Sequence, residues 1–362
     1  MMSPLQPFKL LSIVAAVTLA GCGIPTPPVM SPIVPLRSAP ADVTDARKFG
    51  AIFCGVLTHQ PDPNTGGPCS TYFDPASTPA SIPSDDAVAV GFRILVIPGI
   101  FGECVQDYAL PWEDGKRHLH DAHHTDVEYL SVPALGSSVD NGKLIVAYLA
   151  DHFSSTDQRP YIVFGYSKGA PDILEALTMD VPTRGRIAAV VTIAGAVIGS
   201  RLAEGVPRGI IDPLRGLTLG PCTIDDAGGA ESLRRSVRAK ALADLPQGVN
   251  AFSIAAVALR PQKVSKVLLN GFVQLQAFSV DQDSQVIRED AIVPGGRYLG
   301  SAIADHWAVA LPFEHVRTFH PNTPPALAKL FDDIVDQNHY PRAALFEAAL
   351  RFAAANSPKH AD

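Results

Sequence analysis

The hydrophobic positions along this chain fall mainly into short, nearly continuous runs rather than into an alternating wet and dry pattern. Phe92 to Pro98 (FRILVIP), Tyr161 to Phe164 and Ile187 to Ile193 are three such runs, and Val127 to Val132 is a shorter one. Helix-length stretches lie between them, Leu144 to Phe153 before the second run and Pro171 to Met179 after it. Strands that are apolar on both faces and alternate with helices predict a mostly parallel sheet covered on both sides. In such sheets reactive groups gather at the carboxyl ends of the strands. No internal repeat interrupts this pattern.

At one of those ends stands Gly165-Tyr166-Ser167-Lys168-Gly169, a GxSxG pattern with a predicted strand before it and a predicted helix after it. That context makes Ser167 a candidate nucleophile on a tight turn, because Gly165 and Gly169 let the helix pack close to the strand while the hydroxyl projects from the bend. Acyl transfer also needs two backbone amides aimed at the developing oxyanion. The amide of Lys168 is one candidate. The other comes from the second glycine turn, Pro98-Gly99-Ile100-Phe101-Gly102, where Ile100 is the first choice and Phe101 the alternative.

Upstream of all this, Lys9 precedes LLSIVAAVTLAG, an apolar core too short for a spanning helix and of the kind that directs export. Its end, Leu19-Ala20-Gly21-Cys22, resembles the lipobox of bacterial lipoproteins. That resemblance implies a signal peptide over residues 1–21, lipidation of Cys22, and attachment to a membrane in the cell envelope rather than passage through one. Gly23 stands where inner-membrane retention would call for aspartate, which favours the outer membrane. Prolines 25, 27, 28, 32, 35 and 40 make residues 22–41 a stiff tether, and residues 42–362 are left for one large domain.

Charge narrows the partners. A net charge of −7 argues against nucleic acid and against an electrostatic hold on anionic lipid, and favours a small neutral or lipid-like substrate. With Cys22 set aside, Cys54, Cys69, Cys104 and Cys222 form an even set in a compartment that permits disulfides. Cys54 with Cys69 would close a loop rich in Pro, Gly and Asn and leave Cys104 to meet Cys222; four buried thiols are the alternative.

A serine needs a base and an orienting acid, in the order Ser, acid, His for this kind of sheet. The cluster His118, His120, His123 and His124 lies upstream of Ser167, which excludes it as the base. His120 and His124 have helical ligand spacing, yet no adjacent motif completes a metal signature, and the cluster reads as a solvated helix end. Downstream, His306 stands in a loop after Tyr298 to Asp305 (YLGSAIAD), itself strand-like; His339 and His360 have no strand before them. Asp281, Asp283, Glu289 and Asp290 compete for the acid.

Four pieces between Phe92 and Pro312 together resemble the bacterial lipases and esterases of the α/β-hydrolase superfamily. GYSKG resembles their elbow, IPGIFG their oxyanion loop with Pro98 in place of a usual histidine, and Val191 to Glu204 the stretch leading to their cap. Asp283-Ser284-Gln285-Val286, after the strand-like Pro246 to Ser253, resembles their DGxV acid loop with serine for glycine. The resemblance implies an α/β-hydrolase fold with a cap insertion over about 199–245. It also implies a triad of Ser167, His306 and Asp283, with Asp290 as the alternative acid, and ester hydrolysis without metal or organic cofactor. A fold retained as a binding module, and a peptidase or polyester depolymerase with the same triad, are the competing expectations.

Overall fold

The computed structural model describes residues 43–60, 66–82, 88–100, 110–153, 157–204, 218–219, 222–223, 228–313 and 339–358. Cys22, Phe101 and Cys104 therefore lie outside the described residues, as do the side chain of Cys222 and His360, and with them the tether and part of the expected cap.

Seven strands form one sheet: β1 (Phe73–Asp74), β2 (Arg93–Ile97), β3 (Glu128–Tyr129), β4 (Tyr161–Tyr166), β5 (Ile187–Ile193), β6 (Ala251–Ala256) and β7 (Arg297–Ala302). Their spatial order is β1-β7-β6-β5-β4-β2-β3, and every pairing is parallel except that of β1 with β7. The expected strands are all present. Val127 to Val132 shortens to the two residues of β3, where Arg93 donates to both oxygens of Glu128 at 2.8 and 2.9 Å and turns the edge toward ionic contacts.

The apolar runs serve both faces because successive residues of a strand point to opposite sides. On one side Ile94, Val96, Ile162 and Phe164 pack with Phe49 and Phe53 of α1 (Val43–His59), Leu119 of α2 (Glu113–His123) and Phe346 of α7 (Arg342–Ala355). On the other, Leu95, Ile97, Tyr161 and Val163 pack with Ile145 and Leu149 of α3 (Ser138–His152) and with Ile173 and Leu174 of α4 (Gly169–Met179). Helix α3 starts six residues before the expected Leu144, because Ser137 caps it by accepting from the Asp140 amide at 3.1 Å.

Cys54 of α1 is bonded to Cys69, as the loop composition suggests. A cross-link spanning 15 residues restricts the unfolded chain enough to contribute about 3 kcal/mol. Within the interval expected to form a cap, the described residues include α5 (Arg235–Ala243), which packs onto the body: Arg238 is buried and donates to Glu175 of α4 at 2.7 Å and to the Val197 carbonyl at 3.1 Å. Helix α6 (Leu269–Leu275) follows β6. Among the described residues no helix is long and apolar enough to cross a membrane.

Candidate active site

The sheet order fixes where chemistry can gather. From β2 the chain moves outward to the edge strand β3, whereas from β4, on the other side of β2, it proceeds toward β5, β6 and β7. The carboxyl ends of β2 and β4 thus form the switch point at which a crevice opens in such sheets. Ser167 follows β4 there, and Gly99 follows β2.

Ser167 has φ 52°, the left-handed conformation that throws a side chain off the strand line. Its neighbours leave no room for larger residues: a Cβ on Gly165 would lie 2.8 Å from the Ala170 backbone, and one on Gly169 would overlap the Ile97 carbonyl. The loop after β2 closes against the serine as well, since a Cβ on Gly99 would lie 2.7 Å from Ser167 Cβ. Ile100 is therefore one residue beyond direct packing on the elbow. The Lys168 side chain is buried and turns aside to Asp172, with Nζ 2.9 Å from each carboxylate oxygen, while Asn141 donates to Asp172 at 2.7 Å.

Three of the candidates come together in one line. His306 Nε2 lies 2.8 Å from Ser167 Oγ, and His306 Nδ1 lies 2.7 Å from Asp283 Oδ2. Asp283 Oδ1 accepts from the amides of Gln285 and Val286 at 2.9 and 2.7 Å, and the His306 amide donates to the Asp283 carbonyl at 2.7 Å. The acid loop and the histidine loop are thus tied by backbone as well as side chain. All three residues are buried. A hydroxyl bonded to an imidazole that a carboxylate holds is the arrangement that converts serine into a nucleophile.

Asp290 does not join this line. It faces Arg235 and Arg201, the latter at 4.0 Å; burial pushes its carboxyl up and Arg235 pulls it back. Asp281 pairs with Arg288 at 2.7 Å. The histidine cluster also departs from a wholly solvated helix end. His120 is exposed and lies 3.0 Å from Asp126, and His124 caps α2, but His123 is buried and His118 turns inward onto Glu347. His339 is exposed.

Residues that no sequence motif singles out support the site. Asp305, buried beside His306, accepts from the amides of Trp307 and Ala308 at 3.0 and 2.7 Å and from the amide and hydroxyl of Ser265 at 2.7 and 2.8 Å. These bonds shape the turn carrying the imidazole, although burial still pushes the Asp305 carboxyl up. Tyr166 donates its hydroxyl to the His306 carbonyl at 2.7 Å; burial, with Asp283 and Asp305 nearby, raises its pKa well above the ordinary value and keeps it a donor. Trp112 packs edge-on to Tyr166 and donates to the Val309 carbonyl at 3.0 Å. Asp305 next to His306, and Tyr166 just before Ser167, are the signals the sequence carries for them.

No protein-family model matches the chain, and a search of curated proteins finds no match. Among solved structures, the metagenomic carboxyl esterase MGS0156 is similar at 28% identity and a TM-score of 0.76, over 95% of this chain and 99% of that one. The mature form of Bacillus licheniformis lipase BlEst2 is more remote, at 21% identity and a TM-score of 0.47 over 63% of this chain and 89% of that one. The RedJ thioesterase of the prodiginine pathway in Streptomyces coelicolor is more remote still, at 17% identity and 0.32 over 71% and 90%. With the first match running over nearly the whole of both chains, and the sheet order described above, the chain has the α/β-hydrolase fold.

Proposed function

We propose that this chain is a serine esterase of the carboxylesterase or lipase type. The reading rests above all on the continuous hydrogen-bond line from Ser167 Oγ through His306 to Asp283. In the proposed reaction Ser167 Oγ attacks the ester carbonyl carbon as His306 Nε2 takes its proton. The same nitrogen returns that proton to the departing alcohol, leaving an acyl-serine, and a water activated by His306 then releases the acid. Asp283 holds the imidazole tautomer and stabilises its protonated form. The amides of Lys168 and Ile100, or Phe101 in place of Ile100, are assigned to the oxyanion. The whole-length likeness to a carboxyl esterase supports an ester over an amide as the substrate.

A fluorophosphonate probe tests this directly, because it reacts only with a serine already activated by its base. The purified protein is expected to take up one probe per molecule, at Ser167 by peptide mapping. A folded protein that stays unlabelled would establish the binding-module alternative and end the enzyme reading. Peptide hydrolysis outpacing that of short acyl esters would reassign it as a peptidase.

The proposed setting is the cell envelope, held by a lipid on Cys22. The Cys54–Cys69 disulfide supports it, since such bonds persist in oxidising compartments. Full-length protein expressed in a bacterium is expected to enter the detergent phase on partition, and Cys22→Ala to move it to the aqueous phase. Equal partition of both proteins would remove the anchor from the proposal.

A further inference from the structure

Away from the proposed catalytic line, three groups with metal-binding chemistry converge between α2 and α7. His118 Nε2 lies 3.1 Å from Glu347 Oε2, and His123 Nε2 lies 3.6 Å from Glu347 Oε1. One ligand atom from each of the three residues lies within 4.8 Å of the others. Zinc bonds of roughly 2.0–2.2 Å at tetrahedral angles put neighbouring ligand atoms about 3.4 Å apart, a separation that fits within the 4.8 Å spanned by one ligand atom from each residue.

The carboxylate is prepared for a cation. Gln60 donates to Oε2 at 2.7 Å and Arg351 to Oε1 at 2.6 Å, which fixes the plane of the group and leaves each oxygen a second lone pair toward the histidines. Glu347 is fully buried, so the plane of its carboxylate is set by these protein partners rather than by solvent. His118 keeps a quarter of its side chain exposed, which gives an ion and its remaining water a route in.

We infer that His118, His123 and Glu347 form a site for one divalent transition-metal ion, zinc by its two-imidazole, one-carboxylate donor set, that clamps α2 to α7. The position gives the clamp a purpose. Trp112, at the start of α2, stacks on Phe346, next to Glu347, with ring centres 5.4 Å apart, and the other contacts of Trp112 support Tyr166 and the His306 loop. The site is independent of the esterase reading.

The test uses tag-free full-length protein stripped with a chelator and titrated with Zn²⁺, with bound metal measured by elemental analysis and stability by thermal melting. One zinc per chain, with a melting temperature that rises on addition and falls again with chelator, is the expected result. His118→Ala and His123→Ala should each weaken binding by more than the roughly 10- to 100-fold that loss of a supporting hydrogen bond costs. His120→Ala, His124→Ala and His306→Ala should bind as the parent does. His118 is partly exposed, so its variant remains informative even where His123→Ala fails to fold. Absence of stoichiometric zinc in the parent, or binding that survives His118→Ala, would overturn the site and leave a buried ion-pair network.

Discussion

Ser167→Ala is expected to lower ester hydrolysis roughly a million-fold, the size of effect seen when a triad nucleophile is deleted. Initial rates on p-nitrophenyl butyrate would measure it, with circular dichroism and thermal melting to show that the fold survives. Survival is expected because alanine keeps the Cβ at the φ 52° position and loses only an oxygen whose partner is His306 Nε2. The elbow itself is held elsewhere: the Ser167 carbonyl accepts from the amides of Ala170 and Ala196 at 3.2 and 3.1 Å. Retention of more than about a hundredth of the parent rate would mean that another group supplies the nucleophile, since a loss that small is what one general acid–base or oxyanion contact accounts for.

The parts of this fold legible from sequence are those whose signal is local. FRILVIP, YIVF and IAAVVTI are apolar in both registers, and each packs one alternate set of residues against α1, α2 and α7 and the other against α3 and α4. The serine turn was legible because two glycines and a flanking strand and helix sit within a few residues of it. His306 was legible from the strand that precedes it, β7. The edge strand β1 was not, because two residues carry no periodicity, and its place is set by pairing with Ala302 and Ser301 far downstream. Helix α7 hid for the opposite reason: RAALFEAALRFAAA is buried on almost every side, so it lacks the polar stripe that marks an amphipathic helix. The His118 and His123 pair escaped because five residues is not a helical ligand spacing, and their common partner lies 229 residues beyond His118.

The acid shows the same limit and yields the second large effect. Four carboxylates crowd residues 281–290, and nothing within that stretch says which of them meets an imidazole 16 to 25 residues later. Tertiary structure separates them: Asp290 is held by Arg235 and Arg201, and Asp283 by two amides and His306. Asp283→Asn is therefore expected to cut kcat by roughly 10⁴-fold. The reason is specific to the bonds around it. The amides of Gln285 and Val286 both donate to Oδ1, so the asparagine would keep its oxygen there and present its NH₂ to His306 Nδ1. A donor facing Nδ1 requires that nitrogen to be unprotonated, which moves the ring proton to Nε2. Nε2 would then donate toward Ser167 Oγ instead of accepting from it, and the base would be lost with the geometry intact. Asp290→Asn should leave kcat of the folded enzyme near that of the parent and lower its stability instead, because Arg235 and Arg201 lose their anionic partner. Comparing kcat and denaturant midpoints for the two variants separates these effects. A larger loss of kcat from Asp290→Asn than from Asp283→Asn would reverse the assignment of the acid.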